Sequence, residues 1–177
     1  MKTLLNAEQV EDALNRLYQA VVKQLPKDTP IAIVGIRTRG QTLASRLVER
    51  LRTDRPELPI NSGILDVTFY RDDLSGRGGA PVVRATEIDF SLDDAWVLLV
   101  DDVLATGRSV RAALAALRDF GRPRAIRLAG LIDRGGRELP IAADFIGKKV
   151  RAPAGSRVQL KLKESDGEEG VFITAAD

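Results

Sequence analysis

The stretch V-L-L-V-D-D-V-L-A-T-G-R-S-V-R-A-A-L spans residues 97 to 114. Four apolar residues, Val97 to Val100, run straight into Asp101 and Asp102. A short apolar run with polar limits reads as a strand buried on both faces. Beyond the aspartates, Ala105 to Ser109 read as a short loop. Val110, Ala113, Leu114 and Leu117 then recur at helical spacing. A loop that opens a helix presents unpaired N–H groups, and the helix dipole favours an anion there. Thr106 and Ser109 add hydroxyl donors, and Gly107 permits close backbone approach or a positive φ. Carboxylates accept from vicinal hydroxyls. Asp101 and Asp102 therefore suit a sugar whose phosphate fills the loop, with a divalent cation offsetting the negative charge. A bare Asp-Asp pair reads as a turn and an N-cap. The whole strand, Asp-Asp, Thr-Gly-x-Ser and helix pattern reads as a sugar-phosphate site.

The flanking segments place this strand in an alternating α/β pattern. Asn6 and Gln9 form a capping-box signature. Val10, Leu14, Leu17, Val21 and Leu25 follow at helical spacing until Pro26. Residues 31–36, I-A-I-V-G-I, read as a second buried strand and R-T-R-G as the loop after it. Leu43, Leu47, Val48 and Leu51 mark another helix. Residues 61–70 and 125–132 read as strands, and 96–100 as the strand of the opening stretch. Residues 71–86 carry Gly76, Gly78 and Gly79 among charges, without periodicity, and read as a long loop, functional or disordered. At the tail, R-V-Q-L-K-L-K-E alternates with period two, D-G supplies a turn and V-F-I-T returns, which predicts an antiparallel hairpin. The pattern implies one domain over residues 1–177 with a mostly parallel sheet flanked by helices. In such sheets ligands sit beyond the carboxyl ends of the strands.

Composition bounds the chemistry. The 177 residues are 44% hydrophobic and 29% charged, as in an ordinary soluble domain with a full core. No apolar run reaches the ~18 residues of a membrane span, and no signal-peptide core is evident. There is no cysteine, which excludes disulfides and thiolate zinc sites and fits a cytoplasmic protein. There is no histidine either, so imidazole bases and histidine-dependent triads are excluded. The formal charge is +2 and the sequence pI about 9.1, compatible with phosphate-rich ligands or RNA but decisive for neither.

V-L-L-V-D-D-V-L-A-T-G-R-S resembles the phosphoribosyl-pyrophosphate (PRPP) signature of type I phosphoribosyltransferases. V-G-I-R-T-R-G, F-Y-R-D-D-L, D-R-G-G-R-E-L-P and A-D-F-I-G-K resemble one subfamily, the bifunctional pyrimidine operon attenuators and uracil phosphoribosyltransferases. The likeness runs over nearly the whole chain, in order. It implies a type I phosphoribosyltransferase fold with a small hood at roughly 133–177 and a flexible lid at roughly 71–86. It implies an enzyme that makes UMP and pyrophosphate from uracil and PRPP, with Mg2+. Asp101 and Asp102 would hold the ribose hydroxyls, stabilise charge on the sugar, and approach the metal indirectly through PRPP and water. Ala105, Thr106, Gly107, Arg108 and Ser109 would bind the 5′-phosphate. Thr38 and Arg39 would lie in the pyrophosphate loop, where a non-proline cis bond is common. Tyr70 and Arg71 would start the lid, and Arg71 would neutralise departing pyrophosphate. Phe145 would stack on the base, the Ile146 backbone would bond its edge, and Arg134 would reach a uracil carbonyl. Core packing is the rival reading of Phe145. For G-I-R-T-R-G-Q-T the rival is a P-loop, but Gln41 replaces the lysine.

The resemblance also implies binding of a pyrimidine leader mRNA through a basic face of a homodimer or higher oligomer, tuned by nucleotides. Arg16, Arg137, Lys148 and Lys149 are the basic candidates, against a plain solvated surface. The chain departs from the family pattern at Gly136 and Gln19, where histidine is frequent, and at Ala142, where a basic residue is common. Acidic Glu11 and Asp12 precede Arg16. These changes weaken the RNA face more than the enzyme site. Two alternatives follow: an attenuator with little catalysis, or a transferase for another base.

Overall fold

A computed structural model describes residues 1–70 and 85–175. Most of the expected 71–86 loop, Arg71 included, lies outside the described residues.

Five strands form a parallel sheet: β2 (Ile31–Ile36), β3 (Ile60–Leu65), β4 (Trp96–Leu104), β5 (Ala125–Asp133) and β6 (Phe145–Lys149), in the spatial order β3-β2-β4-β5-β6. Every residue of β2 and the first six of β4 are buried. That is why their sequences are apolar without alternation: helices cover both faces. Helices α1 (Ala7–Val22) and α2 (Arg39–Asp54) cover one face, where Leu14, Leu17, Leu43 and Leu47 meet Ile33, Leu98 and Val100. Helix α3 (Arg108–Leu117) covers the other, where Val110, Ala113 and Leu117 meet Val97 and Leu99. The capping box is present: Asn6 Oδ1 accepts the Gln9 N–H at 2.9 Å, and Gln9 Oε1 accepts the Asn6 N–H at 3.0 Å.

A smaller antiparallel sheet, in the order β1-β8-β7, joins β1 (Lys2–Leu5) to β7 (Ser156–Lys161) and β8 (Gly170–Ala175). The expected hairpin pairs Ser156 with Ala175. Its connection is not a bare Asp-Gly turn but the short helix α4 (Lys163–Asp166), closed by Gly167 at φ 72°. The small sheet also takes a strand from the N-terminus, which an expectation of a hood from 133–177 omits.

Several boundaries differ from the sequence reading. β3 ends at Leu65 rather than running to residue 70, because Asp66 Oδ1 accepts the Thr68 N–H and hydroxyl and turns the chain into a single 3-10 turn. β4 continues to Leu104 instead of ending at Val100, with Asp101 paired to Gly130 and Val103 to Ile132 of β5. The aspartates thus lie within the strand. Residues 145–149 are the edge strand of the main sheet, with Phe145 paired to Ala129 of β5.

Candidate active site at the carboxyl ends of β2, β4 and β5

Asp101 and Asp102 occupy the last turn of pleat in β4. Asp101 is buried, 7% exposed, and its Oδ1 accepts the Asp102 N–H at 2.9 Å. Asp102 is half-buried, and its Oδ1 accepts the Val103 N–H at 2.8 Å. Each carboxylate is oriented by the backbone of the next residue, so neither has to be ordered when a hydroxyl arrives.

The chain leaves β4 through Ala105, Thr106 and Gly107 and enters α3 at Arg108. Gly107 is the N-cap at φ 93°, a left-handed conformation that an L side chain resists. A Cβ there would also stand 3.3 Å from Ile141. Around this turn lies a cavity of about 50 Å3, lined by Asp101 and the run from Val103 to Val110. Small, polar and at a helix N-terminus, it has the form of an anion cradle. Ala105, Thr106, Gly107, Arg108 and Ser109 all line it.

A second segment supports this loop. The Thr106 carbonyl accepts the Glu138 and Leu139 N–H groups at 3.0 and 3.2 Å. Arg137 donates to the Ala105 carbonyl at 2.8 Å and the Ile141 carbonyl at 2.9 Å, and pairs with Asp133 at 2.9 Å. These contacts give the Arg137 guanidinium a structural role, tying the phosphate loop to β5.

The loop after β2 is only Arg37 and Thr38, joined by a cis peptide bond. A Cβ on Gly35 would lie 2.5 Å from the Gln41 Cα, and one on Gly40 would lie 2.5 Å from the Val100 carbonyl oxygen. The glycines of G-I-R-T-R-G therefore let α2 seat against β2 and β4. Two residues leave no room for a nucleotide-wrapping P-loop, and that rival reading falls. The close approach brings the start of α2 against Asp101, and the Arg39 guanidinium lies within electrostatic reach of Asp102.

Arg39 pairs with Asp166 of α4, Nη2 to Oδ1 at 2.6 Å and Nε to Oδ2 at 3.1 Å. The Arg39 hydrogen bond holds the Asp166 carboxyl down at about 2. Asp166 raises the Arg39 guanidinium, and the charge of Asp102 adds to that. Asp166 was legible in the sequence only as a turn residue. Arg37 Nη2 donates to the Ala85 carbonyl at 2.7 Å and pairs with Glu87 at 3.0 Å.

The base-binding candidates separate. Phe145 is 2% exposed and packs in the core with Leu14 and Leu131, on the α1 side of the sheet, which favours the core-packing reading over stacking on a base. Ile146 points to the opposite face and packs near Ile141 and Ala143. Arg134 donates from Nη1 to the Ser156 carbonyl at 2.8 Å, while its Nε is buried without a hydrogen-bond partner. Of the remaining RNA candidates, Arg16 donates to the Gly147 carbonyl at 3.2 Å, and Lys148 and Lys149 are exposed on edge strand β6.

Comparison with known proteins agrees with this geometry. Residues 1–160 match the phosphoribosyl transferase domain family. The bifunctional protein PyrR of Roseiflexus sp. is 49% identical over 174 residues, covering 97% of this chain and 94% of its own. That of Deinococcus radiodurans is 45% identical over 171 residues, covering 97% and 93%. Among solved structures, a hypoxanthine phosphoribosyltransferase of Trypanosoma cruzi aligns with TM-score 0.72 at 16% identity, over 97% of this chain and 94% of that one. One from Staphylococcus aureus aligns with TM-score 0.70 at 19% identity, over 97% and 90%. These two establish the type I phosphoribosyltransferase fold. The sequence relatives go further: this chain belongs to the phosphoribosyl transferase domain family and, within it, to the bifunctional PyrR proteins.

Proposed function

We propose that this protein is a uracil phosphoribosyltransferase, forming UMP and pyrophosphate from uracil and PRPP, and that it also regulates pyrimidine operon transcription through a leader RNA. The observation that carries the enzymatic reading is the placement of Asp101, with Asp102 next to it in β4, against the anion cradle of residues 105–109. A 5′-phosphate in the cradle puts ribose hydroxyls at the aspartates. Thr38 and Arg39 then face the pyrophosphate, and Arg134 and the Ile146 backbone are the proposed contacts of uracil.

The donor chemistry suits magnesium carried in with its substrate. Asp101 and Asp102 supply hard oxygen donors, and no cluster of three or more such ligands occurs among the described residues. When bound, Mg2+ neutralises charge on pyrophosphate and improves it as a leaving group. The chain's own contribution is positional and electrostatic. The cradle fixes the 5′ end, and the aspartates orient the ribose and oppose the positive charge that grows as the bond from C1 to pyrophosphate breaks. Uracil N1 forms the new bond to C1 and gives up its N1 proton to the departing pyrophosphate or to water. No imidazole is needed for this sequence of events. Arg71, outside the described residues, is the proposed partner of the departing pyrophosphate.

The regulatory half draws support from the word "bifunctional" in the relatives' names and from the exposed Lys148 and Lys149. Cytoplasmic residence and assembly into at least a dimer belong to the same reading. Among the described residues, no helix is long and apolar enough to cross a membrane. UMP should strengthen binding to a pyrimidine leader hairpin, and rising salt should weaken it; affinity indifferent to both removes the RNA role. For the enzyme, Asp101→Asn and Asp102→Asn keep the side-chain shape and remove charge. Each should lower kcat/KM for PRPP by about 100-fold or more with folding intact. Full activity in both variants rejects the assignment.

A further inference from the structure

We infer that Asp166 is a positioning residue for pyrophosphate: it grips one edge of the Arg39 guanidinium and leaves the other edge for the anion. The inference rests on the transferase reading above. Arg39 is the first residue of α2, and its backbone is held by the approach of Gly40 to the Val100 carbonyl. Its long side chain has many rotamers, and something must select one. Asp166 does so from the terminal hairpin, 127 residues away in sequence, through Nη2 at 2.6 Å and Nε at 3.1 Å.

The carboxylate is itself held before it meets arginine. Asp166 Oδ2 accepts the Leu162 N–H at 2.9 Å and the Ser165 hydroxyl at 2.9 Å. A guanidinium has five N–H donors in a rigid fork. Asp166 engages the Nε–Nη2 edge, so the Nη1 donors remain for a phosphate oxygen. Attachment of the hairpin to α2 does not depend on this pair. Arg46 already binds Glu164 at 2.7 Å and Glu169 at 2.8 Å on the same helix. The pair is therefore separable from docking, and its distinctive feature is its position beside Thr38 and Asp102.

The test compares PRPP with UMP, which lacks the pyrophosphate. Binding of each to the whole protein is measured by calorimetry, with steady-state KM for PRPP and uracil alongside. Asp166→Asn should weaken PRPP binding and raise its KM by about tenfold, while leaving UMP affinity and the uracil KM within about twofold. Asp166→Glu should recover part of the loss. Glu164→Gln, which loosens the hairpin without touching Arg39, should change neither ligand. Equal losses for PRPP and UMP in Asp166→Asn overturn the inference, as does unchanged PRPP affinity. So does a Glu164→Gln effect on PRPP as large as that of Asp166→Asn. A wild-type chain that binds PRPP yet makes no UMP refutes the reaction alone, and the PRPP-against-UMP comparison still decides the role of Asp166.

Discussion

Gly107 shows how much of the site is carried by a single backbone conformation. Its φ of 93° turns the chain from β4 into α3, and Ile141 closes the space where a side chain would sit. Gly107→Ala should cost about 1–2 kcal/mol of stability and weaken UMP binding about tenfold. Denaturant titration and calorimetry read the two effects separately. The residues around it were legible in unequal degree. Asp101, Asp102 and the Thr-Gly-x-Ser loop stand in one short stretch, so local spacing identifies them. Arg137 and Asp166 act through partners 32 and 127 residues away, and nothing local announces such contacts. Phe145 carried two readings, stacking platform and core residue, and its placement in β6 among the buried core favours the second.

At the scale of elements, what local chemistry dictates was readable and what depends on a distant partner was not. The start of α1 follows from Asn6 and Gln9 alone. Asn6→Ala should cost about 1 kcal/mol, seen as a drop of a few degrees in Tm, with transferase activity unchanged at 25 °C. A larger loss, or altered activity, would mean that α1 docking also depends on the cap. The apolar runs of β2, β4 and β5 were equally clear. Strand β1 has only four residues, too few for any period to register, and exists because β8 pairs with it. Strand β6 is short and half-exposed at the edge, so its sequence lacks the apolar run that marked its neighbours. The extension of β4 through two aspartates ran against composition; pairing with β5 outweighs the poor strand propensity of Asp.

Across the whole molecule, two ionisable pairs tie separate elements together and set pH limits. Asp166 is held at about 2 by its hydrogen bond to Arg39, below the ordinary ~3.9. Its contribution is complete above about pH 4 and is lost as pH falls toward 2. Tyr18 is pushed up to about 12, first by burial and then by donating to Asp54 at 2.6 Å, which joins α1 to α2. The neutral phenol is favoured in the fold, so this contribution is complete below about pH 10 and is lost as pH rises toward 12. Stability against pH should show a plateau with both shoulders. Asp166→Asn should remove part of the acid shoulder and Tyr18→Phe part of the alkaline one; unchanged profiles would deny these ties. The acidic shoulder lies far from neutral pH, so the Arg39–Asp166 pair is intact wherever the enzyme is assayed.

The most direct measurement mixes the purified protein with PRPP and magnesium and offers uracil, hypoxanthine and guanine in parallel, following nucleotide and pyrophosphate together. The account predicts UMP and equimolar pyrophosphate from uracil, and no nucleotide from either purine. Nucleotide from a purine, or none from uracil while PRPP still binds, would contradict it.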